Sequence, residues 1–386
     1  MELGKRAVEG LGMSRFPVDA EFWRGKRVFL TGHTGFKGSW LWVWLNELGA
    51  VVRGYALAPV TTPSMFHSAA LERRGEHLVG DIRDTALLRA GLREFHPRIV
   101  IHLAAQPLVR LSYREPLETF ATNVQGTANV LDSCRDLPDL RAVVIVTTDK
   151  CYENREWLSP YREVDRLGGR DPYSASKACA EMVAAAYRQS YFAGGATAVA
   201  TARAGNVFGG GDYSEDRLIP DAVRAYSAGR PLTVRNPGAI RPWQHVVDPL
   251  TGYLMLARAL FETGHQFATP FNFGPLPDQQ MTVAEVIECF THVWGDGAHW
   301  VHEADAHAVH ETGLLLLDSA RARTELGWRS QTSMDVALRQ TVEWYRALQE
   351  GRSASELERL TVAQIEAFSQ PRNLPSLTAL NSSITS

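Results

Sequence analysis

The sequence predicts an α/β protein: a doubly wound parallel sheet followed by a smaller C-terminal α/β domain. Two observations carry this. Apolar strand-like runs alternate with helix-like stripes through the first two hundred residues, and the first run leads directly into a glycine-rich turn that opens a helix. Val28-Phe29-Leu30 reads as the first buried strand. The helix after the turn carries an apolar stripe at Leu41, Trp44, Leu45 and Leu48 and stops at Gly49, with Trp40, Trp42 and Trp44 read as packing residues. Further strands are expected at Val51–Leu57, His77–Val79, Ile99–Leu103, Ala142–Val146 and Ala196–Arg203, so six or seven parallel strands result.

After Arg203 the alternation fades, and Gly209-Gly210-Gly211, Pro220, Pro231, Pro237 and Pro242 mark loops and short elements. The expected division is a first domain over residues 1–205 and a discontinuous second domain over residues 206–368. An apolar stretch, Val246–Leu260, is expected to return to the first domain within a segment of about residues 240–265. The tail, residues 369–386, is rich in Ser, Pro and Asn and reads as flexible.

Composition narrows the function classes. A chain of 386 residues with 22% charged residues and a net charge of −3 has no broad cationic field for nucleic acid or anionic lipid, so any phosphate must be gripped locally. Cys134, Cys151, Cys179 and Cys289 form no C-x-x-C pair, which argues against a disulfide framework and a zinc site and points to a cytoplasmic location. Residues 1–20 show no secretion signal, and no apolar run is long enough to span a bilayer. His302, His307 and His310 lack the H-E-x-x-H spacing, so no metal is expected.

Three motifs carry chemistry. Gly32-His33-Thr34-Gly35-Phe36-Lys37-Gly38 follows the first strand as a dinucleotide-binding turn requires, which makes the sheet Rossmann-type. Its glycines let the backbone approach a pyrophosphate, whose charge meets free N–H groups and the helix dipole. Its spacing, G-x-x-G-x-x-G, is one residue longer in the first gap than the common fingerprint. The second strand ends Gly54-Tyr55-Ala56-Leu57-Ala58-Pro59 with neither a carboxylate for a ribose 2′-hydroxyl nor an arginine for a 2′-phosphate, leaving Thr61 or Thr62 for that place. Asp81 is read either as an acceptor for an adenine amino group or as a helix N-cap.

Tyr173 and Lys177 stand four apart after Pro172, so a helix puts both on one face. A tyrosine is a base near neutral pH only if nearby positive charge stabilises the phenolate. Thr147-Thr148-Asp149-Lys150 ends the predicted fifth strand at the carboxyl edge of the sheet, where open α/β enzymes place ligands; a merely solvated strand end is the alternative.

Taken together, Thr31-Gly32 through Gly38, His102-Leu103-Ala104-Ala105-Gln106, Thr122-Asn123-Val124-Gln125-Gly126-Thr127, Tyr173 with Lys177, and Leu326-Gly327-Trp328 resemble the extended short-chain dehydrogenase/reductase family from Lys26 to about Trp328. Ser39-Trp40 after the glycine turn, Thr148-Asp149-Lys150-Cys151-Tyr152-Glu153-Asn154 and Arg241-Pro242-Trp243-Gln244-His245-Val246 are similar to its CDP-glucose 4,6-dehydratases. The resemblance implies NAD as cofactor, held by Gly32, Thr34, Gly35, Phe36, Lys37, Gly38, Asp81, Ile82, Leu103, Ala104, Ala105, Tyr173 and Lys177. It implies a redox-neutral cycle on CDP-glucose: hydride leaves C4 for NAD, water leaves across C5 and C6, and the hydride returns at C6 with a proton at C5. Tyr173 would remove the C4 hydroxyl proton, Thr148 bond the C4 oxygen, Asp149 protonate the leaving hydroxyl, Lys177 lower the tyrosine pKa, and Asn123 support the site.

Lys150 replaces the glutamate that dTDP-glucose dehydratases of the family use as the C5 base, and its role is left between a neutral-amine base and an enolate stabiliser. Gln106, Asn206, Arg217, Arg235 and Arg241 are expected to bind the nucleotide sugar. The resemblance also implies a homodimer, through helices around Phe120–Cys134 and Ala178–Tyr191. A related 4-epimerase and a non-catalytic NAD sensor or scaffold are the competing functions.

Overall fold

The computed structural model describes residues 18–276, 279–303 and 312–369. Seven parallel strands form the central sheet: β1 (Arg27–Thr31), β2 (Val51–Ala56), β3 (Glu76–Val79), β4 (Ile99–His102), β5 (Ala142–Val146), β6 (Ala198–Ala204) and β7 (Pro270–Phe273). Their order is β7-β6-β5-β4-β1-β2-β3. Alternation along each strand feeds two cores. Val28, Leu30, Ile99, Ile101 and Val144 face one side, and Phe29, Val100, Val143, Ile145 and Val199 face the other. The order reverses between β1 and β4, whose ends are aligned at Thr31 and His102, so a crevice opens there beyond the strands.

Helix α1 (Phe36–Glu47) buries Trp40, Leu41, Trp42, Val43, Trp44 and Leu45, more than the single stripe read from the sequence, because the C-terminal helix Ala354–Ser369 covers its outer side. The buried indoles keep their N–H groups satisfied: Trp40 donates to the Gly210 carbonyl and Trp42 to that of Leu71. Helix α2 (Pro172–Tyr187) is started by Asp171, which accepts from the Ser174 N–H, and by Pro172 in the first turn. This start fixes Tyr173 and Lys177 one turn apart on the buried face.

Beyond β6 the chain builds short paired strands: Asn206–Phe208 with Trp243–His245, Ile240–Arg241 with Met281–Thr282, and Leu232–Val234 with Trp300–His302. Helix α3 (Leu218–Ser227) packs on the strand Leu232–Val234 and on the helix Val283–Trp294. Helix α4 (Val247–Thr263) then packs on β5 and β6 and delivers the chain to β7. That strand is absent from the sequence reading. It is four residues long and begins with Pro270, which an edge strand tolerates.

His307, His310, the tail from residue 370 and residues 1–17 lie outside the described residues. Among the described residues no His, Cys, Asp and Glu cluster could hold a metal, no helix is long and apolar enough to cross a membrane, and all four cysteines are unpaired.

Candidate active site

The glycine turn closes against the end of β4, and only glycine permits it. Gly32 has φ +76°, and a Cβ there would lie 2.6 Å from the Ala104 nitrogen; one on Gly38 would lie 2.0 Å from the Gly32 carbonyl oxygen. Gly35 caps α1 without a side-chain bond, which leaves the first N–H groups and the helix dipole for an anion. The cleft in front of this turn is lined by all the residues expected to hold a cofactor: Gly32, Thr34, Gly35, Phe36, Lys37, Gly38, Asp81, Ile82, Leu103, Ala104, Ala105, Tyr173 and Lys177. Its far wall contains Leu57, Ala58, Val60, Thr61 and Ser64, a set with no charge of either sign. Thr61 lines the cleft; Thr62 does not. The His33 ring fills the space beside β2, where a Cβ on Gly54 would meet it at 2.5 Å. Asp81 is held by the backbone N–H and guanidinium of Arg83, and the N-cap of the next helix is Asp84, so capping does not account for Asp81. These residues fit a dinucleotide.

Thr148, Lys150 and Tyr173 converge at one end of a second cavity, of about 320 Å³. The Thr148 hydroxyl donates to Asp149 Oδ1 at 2.9 Å and meets the Tyr173 phenol. Lys150 Nζ donates to Asp149 Oδ1 and Asn206 Oδ1, both at 3.0 Å. Burial pushes the Tyr173 phenol up to about 12, opposed by the Thr148 hydrogen bond and the Arg217 guanidinium. Lys177 is lowered to about 8 by burial, with Glu181 opposing the fall, and its Nζ donates to the Val146 carbonyl at 3.3 Å. The cation that opposes burial at Tyr173 is Arg217, brought from outside α2.

Three expected residues lie behind the cavity walls. Gln106 lines neither cavity: its amide donates to Leu108 O and Thr119 Oγ1 and accepts from Leu108 N, so it is committed within its own loop. Asn123 is likewise spent inside the protein, bonding both backbone groups of Gln106 and Ser176 Oγ, and positions the site from behind. Asp149 is fully buried and lines neither cavity; its Oδ2 has no partner among the described residues.

Asn206, Arg217, Arg235 and Arg241 do line the second cavity, as does Arg110, which the sequence reading did not single out. Arg110 and Arg235 each lie 3.7 Å from Asp216. Arg217 pairs with Asp212 at 3.2 Å, and Arg241 donates to the carbonyls of Ile240, Thr312 and Gly313. Lys37, Thr147, Tyr173 and Arg217 belong to both cavities, so the two meet at the catalytic groups. Lys37 is lowered to about 7 by burial, helped by Arg217 and Lys177.

The sequence profile of the GDP-mannose 4,6 dehydratase family matches residues 29–341. This chain belongs to that family. Among members of the dehydratase family, the CDP-glucose 4,6-dehydratase of Salmonella typhimurium is 48% identical over 335 residues, which cover 86% of this chain and 93% of the relative. A dTDP-glucose 4,6-dehydratase of Xanthomonas campestris pv. campestris is 27% identical over 82% of this chain and 92% of its own. In three dimensions the chain is similar to a UDP-glucose 4-epimerase of Stenotrophomonas maltophila, with TM-score 0.73, 21% identity and coverage of 84% and 99%. The dTDP-glucose 4,6-dehydratase of Bacillus anthracis in complex with NAD gives TM-score 0.69 and 23% identity, over 84% and 98%. These two likenesses establish the fold the dehydratase family member shares with both activities.

Proposed function

We propose that the chain is an NAD-dependent CDP-glucose 4,6-dehydratase, a hydro-lyase that forms CDP-4-keto-6-deoxyglucose for deoxysugar synthesis. The observation that carries this is the convergence of Tyr173, Thr148 and Lys150 on a cavity that continues to Arg217, Arg235 and Arg241 and shares a wall with the glycine-turn cleft. The Salmonella relative, named for CDP-glucose, supports the choice of nucleotide.

NAD, when bound, supplies reversible hydride acceptance, so the reaction needs no outside oxidant. Gly32 to Gly38 and the α1 N-terminus would hold its pyrophosphate. Tyr173 takes the proton of the sugar C4 hydroxyl, and the Thr148 hydroxyl, turning from Asp149, donates to the C4 oxygen as it becomes a carbonyl. The ketone acidifies C5–H, and Lys150 stands where the elimination occurs. An ammonium holding Asp149 and Asn206 keeps one N–H for the enolate oxygen while another group takes the C5 proton; a neutral amine holding the same two keeps a lone pair for that proton. The proton for the departing C6 hydroxyl belongs to the Asp149–Lys150 pair, of which Lys150 is the member at the cavity surface.

Epimerisation is the second reading, because a 4-epimerase shares the fold. The Asp149–Lys150 pair, which epimerisation does not require, favours dehydration. The four unpaired cysteines support a cytoplasmic enzyme, and exposed Met182 and Tyr191 beside α2 support a homodimer through that helix and Gly126–Cys134. Incubation of the purified protein with CDP-glucose, followed by NMR, is decisive: a new C6 methyl signal is expected. Inversion at C4 with the hydroxymethyl group intact would make it an epimerase, and an unchanged sugar would leave an NAD-binding sensor or scaffold.

A further inference from the structure

Away from the catalytic groups, the second cavity changes character. There α3 and the strand Leu232–Val234 wall it with the apolar side chains of Leu218, Pro220, Leu232 and Val234. One carboxylate stands among them. Leu218 and Asp221, three apart, share a face of α3, and the Asp221 side chain is about two-thirds buried, with 33% exposed.

Five carboxylates line the cavity, and four have other occupations or surroundings. Asp171 accepts from Ser174 as the cap of α2, Asp212 pairs with Arg217, Asp216 lies between Arg110 and Arg235, and Glu215 is exposed. Asp221 pairs only through Oδ1, with Arg224 on its own helix; Oδ2 has no partner among the described residues. Burial raises its carboxyl above the ordinary value, with Arg224 opposing, so it is a partly desolvated acceptor that gains from a donor.

Cytosine presents an exocyclic amino group, a donor, at the position where uracil and thymine present a carbonyl oxygen. A carboxylate facing that carbonyl sets two acceptors against each other with no hydrogen between them. We propose that Asp221 selects the nucleobase: Oδ2 accepts an N–H of the cytosine amino group and turns away uracil and thymine nucleotides. This assignment rests on reading the cavity as the nucleotide-sugar site, and it makes Asp221 a specificity-determining residue outside the catalytic set.

The test is the binding of CDP and of UDP by calorimetry to the wild type, to Asp221→Asn and to Arg224→Met, with CDP-glucose and UDP-glucose turnover measured alongside. Wild type binds CDP at least about tenfold more tightly than UDP, because a buried polar site rejects the analogue that leaves it unpaired. Asp221→Asn, whose amide donates to a carbonyl, lowers the CDP-to-UDP ratio on the order of 100-fold by weakening CDP and strengthening UDP. Arg224→Met, which removes the ion pair and leaves the carboxylate, keeps the preference. A ratio unchanged in Asp221→Asn, or lost equally in Arg224→Met, overturns the proposal. If binding follows expectation while no C6 methyl product forms, the dehydratase reading fails and the role of Asp221 stands.

Discussion

At Tyr173 the balance of charges differs from what a lysine four residues away implies. Burial holds the phenol near 12, and the opposing cation is Arg217, brought from another element to the same cavity. Because the deprotonated form is the base, kcat/KM rises with pH toward the phenol pKa. Arg217→Met removes a stabilising charge, so that limb moves to higher pH and the rate at neutral pH falls; a pH profile with its limb unmoved would refute this. Tyr173→Phe is expected to lower kcat about 10²- to 10⁴-fold, with circular dichroism unchanged. The Tyr173–Lys177 pair was legible because helical spacing is written in the sequence. Arg110, Asp221 and the inward commitment of Gln106 were not, because each depends on where a distant segment packs.

Among the elements, α2 is anchored from below. Glu181 accepts from Thr147 Oγ1 at 2.5 Å, Thr201 Oγ1 at 2.7 Å and Arg203 at 2.7 Å, and both members of the ion pair are 2% exposed. Glu181→Gln leaves a buried guanidinium unpaired and should cost about 3–5 kcal/mol in urea unfolding, whereas Glu181→Leu with Arg203→Met recovers most of it. The folded Glu181 carboxyl lies below its ordinary value of 4.5, so its stabilisation is present above that pH and lost as pH falls through the lower folded value. Most of the first six strands could be read in advance because they are apolar runs bounded by turn signals. The seventh, four residues opening on proline, has too little period to announce itself and exists because α4 carries it to an open sheet edge.

Across the whole molecule, His33, His102 and His245 are buried in apolar or hydrogen-bonded settings that lower each to about 3, against an ordinary 6.5. The unfolded chain therefore binds protons there that the folded chain refuses. Stability is full above pH 6.5 and declines as pH falls toward 3, by as much as about 4 kcal/mol per pH unit if all three act together. Urea midpoints at pH 7 and pH 5 check this; equal midpoints would contradict it. The partition between the two cavities is also a property of the whole, since Lys37 and Arg217 line both. An anion seated on one side screens the same cations from the other, so the dinucleotide and the nucleotide sugar report on each other's presence. Thermodynamic reciprocity then requires that whatever factor the first ligand imposes on the second, the second returns unchanged, whichever arrives first.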